Sequence, residues 1–292
     1  MMSSKETGII FNPRAGRGQA REIVERISVY FTAKGLKVRV RESERRYQED
    51  DLNEYLRAID SLIVVGGDGT IRPLLPRLSR LRVPVLLYPA GNESLVAKQF
   101  CVPGNVPDIF ERICHLETEE HFFGFANDEP FFLMLGAGYD AEVVKRASLS
   151  RTWGSSDFLY FLAGMKSLYS YQIPHGKIYF DSFSGIDFCG PIQISNSSYY
   201  GRNLIPVAEA NSGSKDFSVR VFNENKAETV FKWLSAVIFS KPLSISNSFI
   251  SYPREVVVTF DNSRPVQIDG DFIGELSKIS VRKSESGILF IV

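Results

Sequence analysis

Leu62-Ile63-Val64-Val65-Gly66-Gly67-Asp68-Gly69-Thr70 decides how this chain is read. The apolar run makes a buried strand, and it delivers three glycines and one carboxylate into a turn ahead of a helix beginning near Ile71. Lacking a Cβ, glycines let the backbone take φ > 0 and bring its N–H groups close to an anion. The helix start adds unpaired N–H donors and the positive end of a dipole. A carboxylate beside a phosphate is repelled unless it binds a divalent cation or accepts a proton from a nucleophile. Glycine turn plus Asp68 therefore points to phosphoryl chemistry. The plainer alternative, a tight strand-to-helix turn with Asp68 capping the helix, stays open here.

Outward from this stretch, short apolar runs alternate with helical patterns as far as about residue 117. Gly8-Ile9-Ile10-Phe11 reads as a buried strand, and Ile23, Val24, Ile27, Tyr30 and Phe31 carry the helical period after it. Lys37-Val38-Arg39-Val40 is the second strand, followed by helical spacing at Leu52, Tyr55, Leu56 and Ile59. Residues 61–65 and 83–88 supply two more strands. This alternation predicts a parallel sheet covered by helices, and ligands of such sheets sit beyond the carboxyl ends of the strands. Three polar, glycine-bearing loops fall at such ends, after Phe11, after Val65 and after Tyr88.

From about residue 119 the texture becomes β-rich. Asn127-Asp128 signals a hairpin, and runs at 176–181, 188–195, 217–222, 255–260, 265–268, 279–281 and 288–292 read as strands. Helical stretches are expected at 157–169 and 227–239. The fold class is therefore α/β: an N-terminal three-layer parallel-sheet nucleotide-binding domain over 1–118, and a mainly antiparallel β-sandwich domain over 119–292, whose C-terminal end can return to the first.

Composition bounds the partners. Lys plus Arg and Asp plus Glu both total 34, so no net charge draws the 292-residue chain to nucleic acid. A hydrophobic share of 44% with 23% charged residues is that of a soluble globular protein. No apolar run is long enough to span a bilayer, and no apolar core precedes the first strand as in a signal peptide. Cys101, Cys114 and Cys189 are scattered and odd in number, which predicts reduced thiols and a cytoplasmic location. His115, His121 and His175 lack zinc-ligand spacing.

Taken together, the loops resemble those of the diacylglycerol kinase-like lipid kinases, whose catalytic domain is related to the NAD kinase and phosphofructokinase folds. Asn12-Pro13-Arg14-Ala15-Gly16 is similar to the family's Asn-Pro-x-Ser-Gly, and Gly66-Gly67-Asp68-Gly69-Thr70 matches its Gly-Gly-Asp-Gly-Thr. Pro89-Ala90-Gly91-Asn92-Glu93-Ser94 stands where it has Pro-x-Gly-Thr-x-Asn. Downstream, Gly136-Ala137-Gly138-Tyr139-Asp140-Ala141, Asn196 with Tyr200-Gly201, Pro206-Val207-Ala208 and Asp269-Gly270-Asp271 follow its further segments in order.

The resemblance implies transfer of the γ-phosphoryl group of ATP, with Mg²⁺, to a hydroxyl of diacylglycerol or a related lipid at the membrane surface. It places the nucleotide on Asn12, Pro13, Arg14, Ala15, Gly16, Arg41, Gly66, Gly67, Asp68, Gly69, Thr70, Gly91 and Asn92. Asp68 would orient the metal, and Asp271 stands where the family's glutamate accepts the proton of the attacking hydroxyl. Asp271 is one methylene short, a loss of reach of ~1.5 Å, and such a misplacement can cost on the order of 100-fold in rate. The family's acidic turn with a structural magnesium falls on Ser214-Lys215, leaving Asp216 as the remaining metal candidate out of register. These departures keep a second reading open, a catalytically degraded nucleotide-binding scaffold of the same fold. Homodimerisation is left open too. Phe122, Phe123, Phe125, Phe131 and Phe132 read as strand core, with a lipid pocket as the alternative.

Overall fold

The computed structural model describes residues 6–43, 49–90, 94–149, 167, 171–181, 184–199, 209–223, 228 and 248–292. In chain order it contains β1 (Glu6–Phe11), α1 (Ala20–Ala33), β2 (Lys37–Glu42), α2 (Glu49–Arg57), β3 (Ser61–Gly66), α3 (Asp68–Ile71), α4 (Leu75–Leu81), β4 (Val85–Pro89), α5 (Leu95–Gln99), α6 (Val106–His115) and β5 (Thr118–His121). There follow β6 (Gly124–Ala126), β7 (Glu129–Phe131), β8 (Met134–Ala137), α7 (Tyr139–Leu149), β9 (His175–Phe180), β10 (Ile186–Cys189), β11 (Ile192–Ser195), β12 (Ser218–Phe222), β13 (Ser248–Ser251), β14 (Glu255–Ile268), β15 (Asp271–Lys283) and β16 (Ile288–Ile291).

The chain divides into two compact units, Met1–Phe122 with Glu285–Val292, and Phe123–Ser284. The boundary therefore lies at Phe122/Phe123 rather than 118/119, and the last strand belongs with the first unit. The physical reason is strand pairing: β16 lies parallel to β4 and antiparallel to β5, which closes the sheet of that unit.

That sheet has the order β2-β1-β3-β4-β16-β5. All pairs but β16–β5 are parallel. Buried on both faces, β3 is apolar almost throughout, as the centre of a parallel sheet requires. Ile9, Phe11, Ile63, Val65, Leu86 and Tyr88 face α1 and α6, where they pack with Ile23, Ile27, Phe31 and Ile109. Gly8 faces the other side, against Tyr55 and Ile59 at α2 and just beyond it. The Tyr55 hydroxyl donates to the carbonyls of Ile9 and Arg39, and burial pushes its pKa well above the usual tyrosine value.

The second unit is antiparallel throughout its described strands. As expected, it is a mainly antiparallel β domain, and its strands are joined in one 10-stranded hydrogen-bonded network. Its organiser is β14, which pairs with β15 along its length, with β9 over Val256 to Phe260, and with β8 over Val266 to Ile268. The polar residues 261–264, which read as a break between two strands, are a register irregularity inside one. A single apolar core joins Phe131, Ile178, Phe188, Ile194, Phe217, Val258 and Ile279.

The Asn127-Asp128 hairpin forms, with Ala126 opposite Glu129 and Asn127 at φ 53°. Phe122, Phe123, Phe131 and Phe132 are buried core, as the sequence expects. Phe125 is partly exposed beneath the Arg282 guanidinium, 4.1 Å from its ring centre. Helix α7 and strand β13 are elements the sequence pattern does not announce. Apart from Ser167 and Glu228, the helices expected at 157–169 and 227–239 lie outside the described residues.

Candidate functional site

The three loops singled out in the sequence meet at the carboxyl ends of β1, β3 and β4. Asn12 N–H donates to the Val65 carbonyl at 3.1 Å, and Ala90 N–H to the Gly66 carbonyl at 3.2 Å. The Asn12 side chain accepts from Arg14 N–H at 3.0 Å, which folds Asn12, Pro13 and Arg14 into a tight turn that Ala15 N–H closes on the Asn12 carbonyl. Gly16 follows at φ 59°, and a Cβ there would stand 1.7 Å from the Ala90 carbonyl oxygen. Only glycine lets the first loop lie against the third. A Cβ on Gly66 would strike the Thr70 side chain at 2.4 Å, whereas Gly67 and Gly69 face open space. That open, Cβ-free face is where phosphate oxygens could approach backbone N–H groups.

Asp68 lies in this turn but does not cap the helix it opens; Gly67 takes that place, with no side-chain bond. Its carboxylate reaches across to α5 instead. Oδ1 accepts from the Ser94 hydroxyl at 2.6 Å and from Val96 N–H at 3.2 Å, and Oδ2 accepts from Leu95 N–H at 3.0 Å. Ser94 Oγ in turn accepts from Ala97 N–H at 3.1 Å as the N-cap of α5. Burial pushes the Asp68 pKa above the ordinary carboxylate value, opposed by the Ser94 hydroxyl, the two amides and the charge of Lys98. Arg41 lies on edge strand β2 opposite Ile10, and its charge is felt by the Tyr55 hydroxyl. Gly91 and Asn92 lie outside the described residues.

In the second unit, Asp269 and Gly270 make the two-residue turn between β14 and β15, both left-handed at φ 49° and 81°. Asp269 accepts three backbone N–H bonds from Phe132, Leu133 and Met134, at 2.8, 2.8 and 3.0 Å. Asn196, fully buried, takes the Phe132 carbonyl from the opposite side at 2.6 Å. Gln267 Oε1 accepts from Gly270 N–H, and its amide nitrogen donates to Asp140 Oδ2 at 3.1 Å. Asp271 follows as the first residue of β15, part-buried and opposite Ile268. The turn before it is thus anchored through Asp269 and Gln267.

A family model for the diacylglycerol kinase catalytic domain matches residues 6–125. Residues 6–125 belong to that family of catalytic domains. The match spans the three loops just described and so bears out the family drawn from their motifs. An uncharacterized protein of Synechocystis sp. is 22% identical over 94% of this chain and 67% of its own length. The ceramide kinase of Arabidopsis thaliana is 28% identical over 39% of this chain and 20% of its own, so the chain spans about a fifth of that relative. A diacylglycerol kinase structure from Bacillus anthracis covers 100% of this chain and 98% of its own, with a TM-score of 0.69 at 15% identity. A second structure from that organism gives 0.73 at 16% identity, again over 100% and 98%. At these identities the structural likeness shows the α/β fold with its antiparallel second part. The domain match makes the chain kinase-type.

Within the family pattern, two departures acquire physical explanations. Ser94 stands in place of asparagine, and its hydroxyl both donates to Asp68 and accepts from Ala97, the two-sided role an amide can also fill. The Asp216 carboxylate pairs with Arg254 Nε at 3.2 Å, and its backbone carbonyl accepts from the buried Lys283 ammonium at 3.1 Å. Among the described residues no group of three or more His, Cys, Asp or Glu could hold a metal ion. With its carboxylate already accepting three protein hydrogen bonds, Asp68 does not fit a magnesium ion held by the protein. Sequence reasoning gave no role to Ser94, Asp140, Gln267 or Asp269. The Gly-x-Gly-x-Asp spacing of 136–140 was the available signal, since a Cβ on Gly136 would collide with Asp140 and Gln267.

Proposed function

We propose that this chain is an ATP-dependent lipid kinase that transfers a γ-phosphoryl group to a hydroxyl of diacylglycerol or a related lipid at a membrane surface. The observation that carries the reading is the meeting of three loops at adjacent strand ends, inside a kinase-family domain, with the open glycines Gly67 and Gly69 among them. Gly16, Gly67 and Gly69 offer the nucleotide phosphates a Cβ-free backbone, Asn12 adds its side-chain amide, and Arg14 adds a charged donor. In the transfer, the acceptor hydroxyl gives its proton to Asp271 while its oxygen bonds to the γ-phosphorus. The bond to the β–γ bridging oxygen breaks, and ADP leaves. Magnesium bound to the phosphates would neutralise charge. Among the described residues no helix is long and apolar enough to cross a membrane.

The test is transfer of label from γ-radiolabelled ATP to vesicles carrying diacylglycerol, a sphingoid base or ceramide. Labelled lipid is expected, with loss of labelling in Asp271→Asn. Nucleotide binding with no transfer across the panel would move the chain to the scaffold reading that the shortened Asp271 favours.

A further inference from the structure

Asp68 is the acid that the glycine motif marks for metal-assisted phosphoryl chemistry, yet its carboxylate is spent on the protein. We propose that Asp68 is a positioning residue: through Ser94 and the first amides of α5 it locks the glycine turn to the loop after β4, and it stays there when nucleotide binds.

Three observations lead there. The donors to Asp68 come from three consecutive residues, Ser94, Leu95 and Val96, so the carboxylate is gripped on both oxygens by one turn of backbone. Moving it to a cation would leave the Leu95 and Val96 amides without that acceptor, and Val96 is fully buried. Ser94 is 2% exposed and bridges Asp68 to Ala97, so the grip is cooperative with the start of α5. The positive charge of Lys98 acts on the same carboxylate, which favours an anion paired with protein and works against a second cation.

What the lock achieves rests on the kinase reading; its existence does not. Gly16 lies against the Ala90 carbonyl and Ala90 N–H bonds to Gly66, so two contacts already join the third loop to the other two. The Asp68 grip is the third, and it holds Ser94 to Val96, where α5 begins. The first loop, the glycine turn and the start of α5 then approach a triphosphate as one rigid surface, which removes the ordering cost of binding.

Hydrogen exchange of the Leu95, Val96 and Ala97 amides in the full chain tests this. The protein is measured alone, with millimolar magnesium, and with a non-hydrolysable ATP analogue with and without magnesium. Equal or higher protection of these amides in every state is expected. Exchange of Leu95 and Val96 that quickens tenfold or more on adding magnesium would show the carboxylate leaving them, and would overturn the proposal. Ser94→Ala removes a donor and a cap but no metal ligand. It should weaken analogue binding about 10-fold, by the same factor with and without magnesium, and Ser94→Thr should restore it. A Ser94→Ala protein that binds the analogue like the parent would overturn the positioning role. If the parent chain binds no analogue at all, the kinase reading falls, and the magnesium-alone exchange still decides whether Asp68 holds α5.

Discussion

The glycine turn after β3 and the hairpin after β14 each present aspartates at a strand end, and they distribute two tasks differently. In the second unit, Asp269 binds the amides of Phe132, Leu133 and Met134, and Asp271 begins the next strand. In the first unit the turn has one aspartate, and the anchoring task takes it. A carboxylate read from sequence as acting chemically can thus be structural. The difference is one of supply, since 66–70 contains a single acid and 269–271 contains two.

Among these anchors, the largest loss is expected from Asp269→Ala. It strips the acceptor from three amides and leaves alanine at φ 49°, so denaturant unfolding should show a loss of about 3 kcal/mol or more. Asp68→Ala should cost less, about 2 kcal/mol, because the Ser94 hydroxyl can turn to another acceptor; it should also abolish transfer to lipid. Equal stability of Asp68→Ala and the parent would break the comparison. Gly16→Ala comes next. It places a Cβ in the left-handed region against the Ala90 carbonyl, and a loss of about 1–2 kcal/mol with weakened nucleotide binding is expected from thermal unfolding and calorimetry.

A smaller, pH-dependent effect belongs to Lys283, whose ammonium burial lowers its pKa to about 7 from the ordinary 10.5. Between those values the unfolded chain holds a proton that the folded one has released. Stability should therefore rise with pH across that window and lie at its lower level below about 7. Lys283→Met should flatten the rise, measured as denaturant midpoints at several pH values. The smallest stability change is expected for Asp271→Asn, within about 0.5 kcal/mol, although transfer should fall on the order of 100-fold. A large destabilisation there would make Asp271 a second anchor and erase the contrast with Asp269.

Much of the first unit was legible from its residues. The uninterrupted apolar run of β3 could only be an inner parallel strand, and the spacing of Ile23, Ile27 and Phe31 gave α1 its buried face. The second unit was legible as antiparallel β, but the continuity of β14 was not, because a bulge and a strand end look alike in a polar tetrad such as 261–264. The loops were legible as a group. What Asp68 does was not, since its partners are backbone amides some 27 residues away, and amides leave no trace in a residue code. Ser94 could have hinted at it: a buried-site hydroxyl before an apolar run is a cap signature, and a cap with a donor to spare needs an acceptor nearby.

The most direct measurement is a backbone amide chemical-shift map of the full chain on adding a non-hydrolysable ATP analogue. Perturbations concentrated at Asn12, Arg14, Gly16, Gly67 and Gly69 are predicted, with Leu95 and Val96 keeping their hydrogen-bonded shifts. Saturable binding that leaves the glycine turn unperturbed would contradict the account.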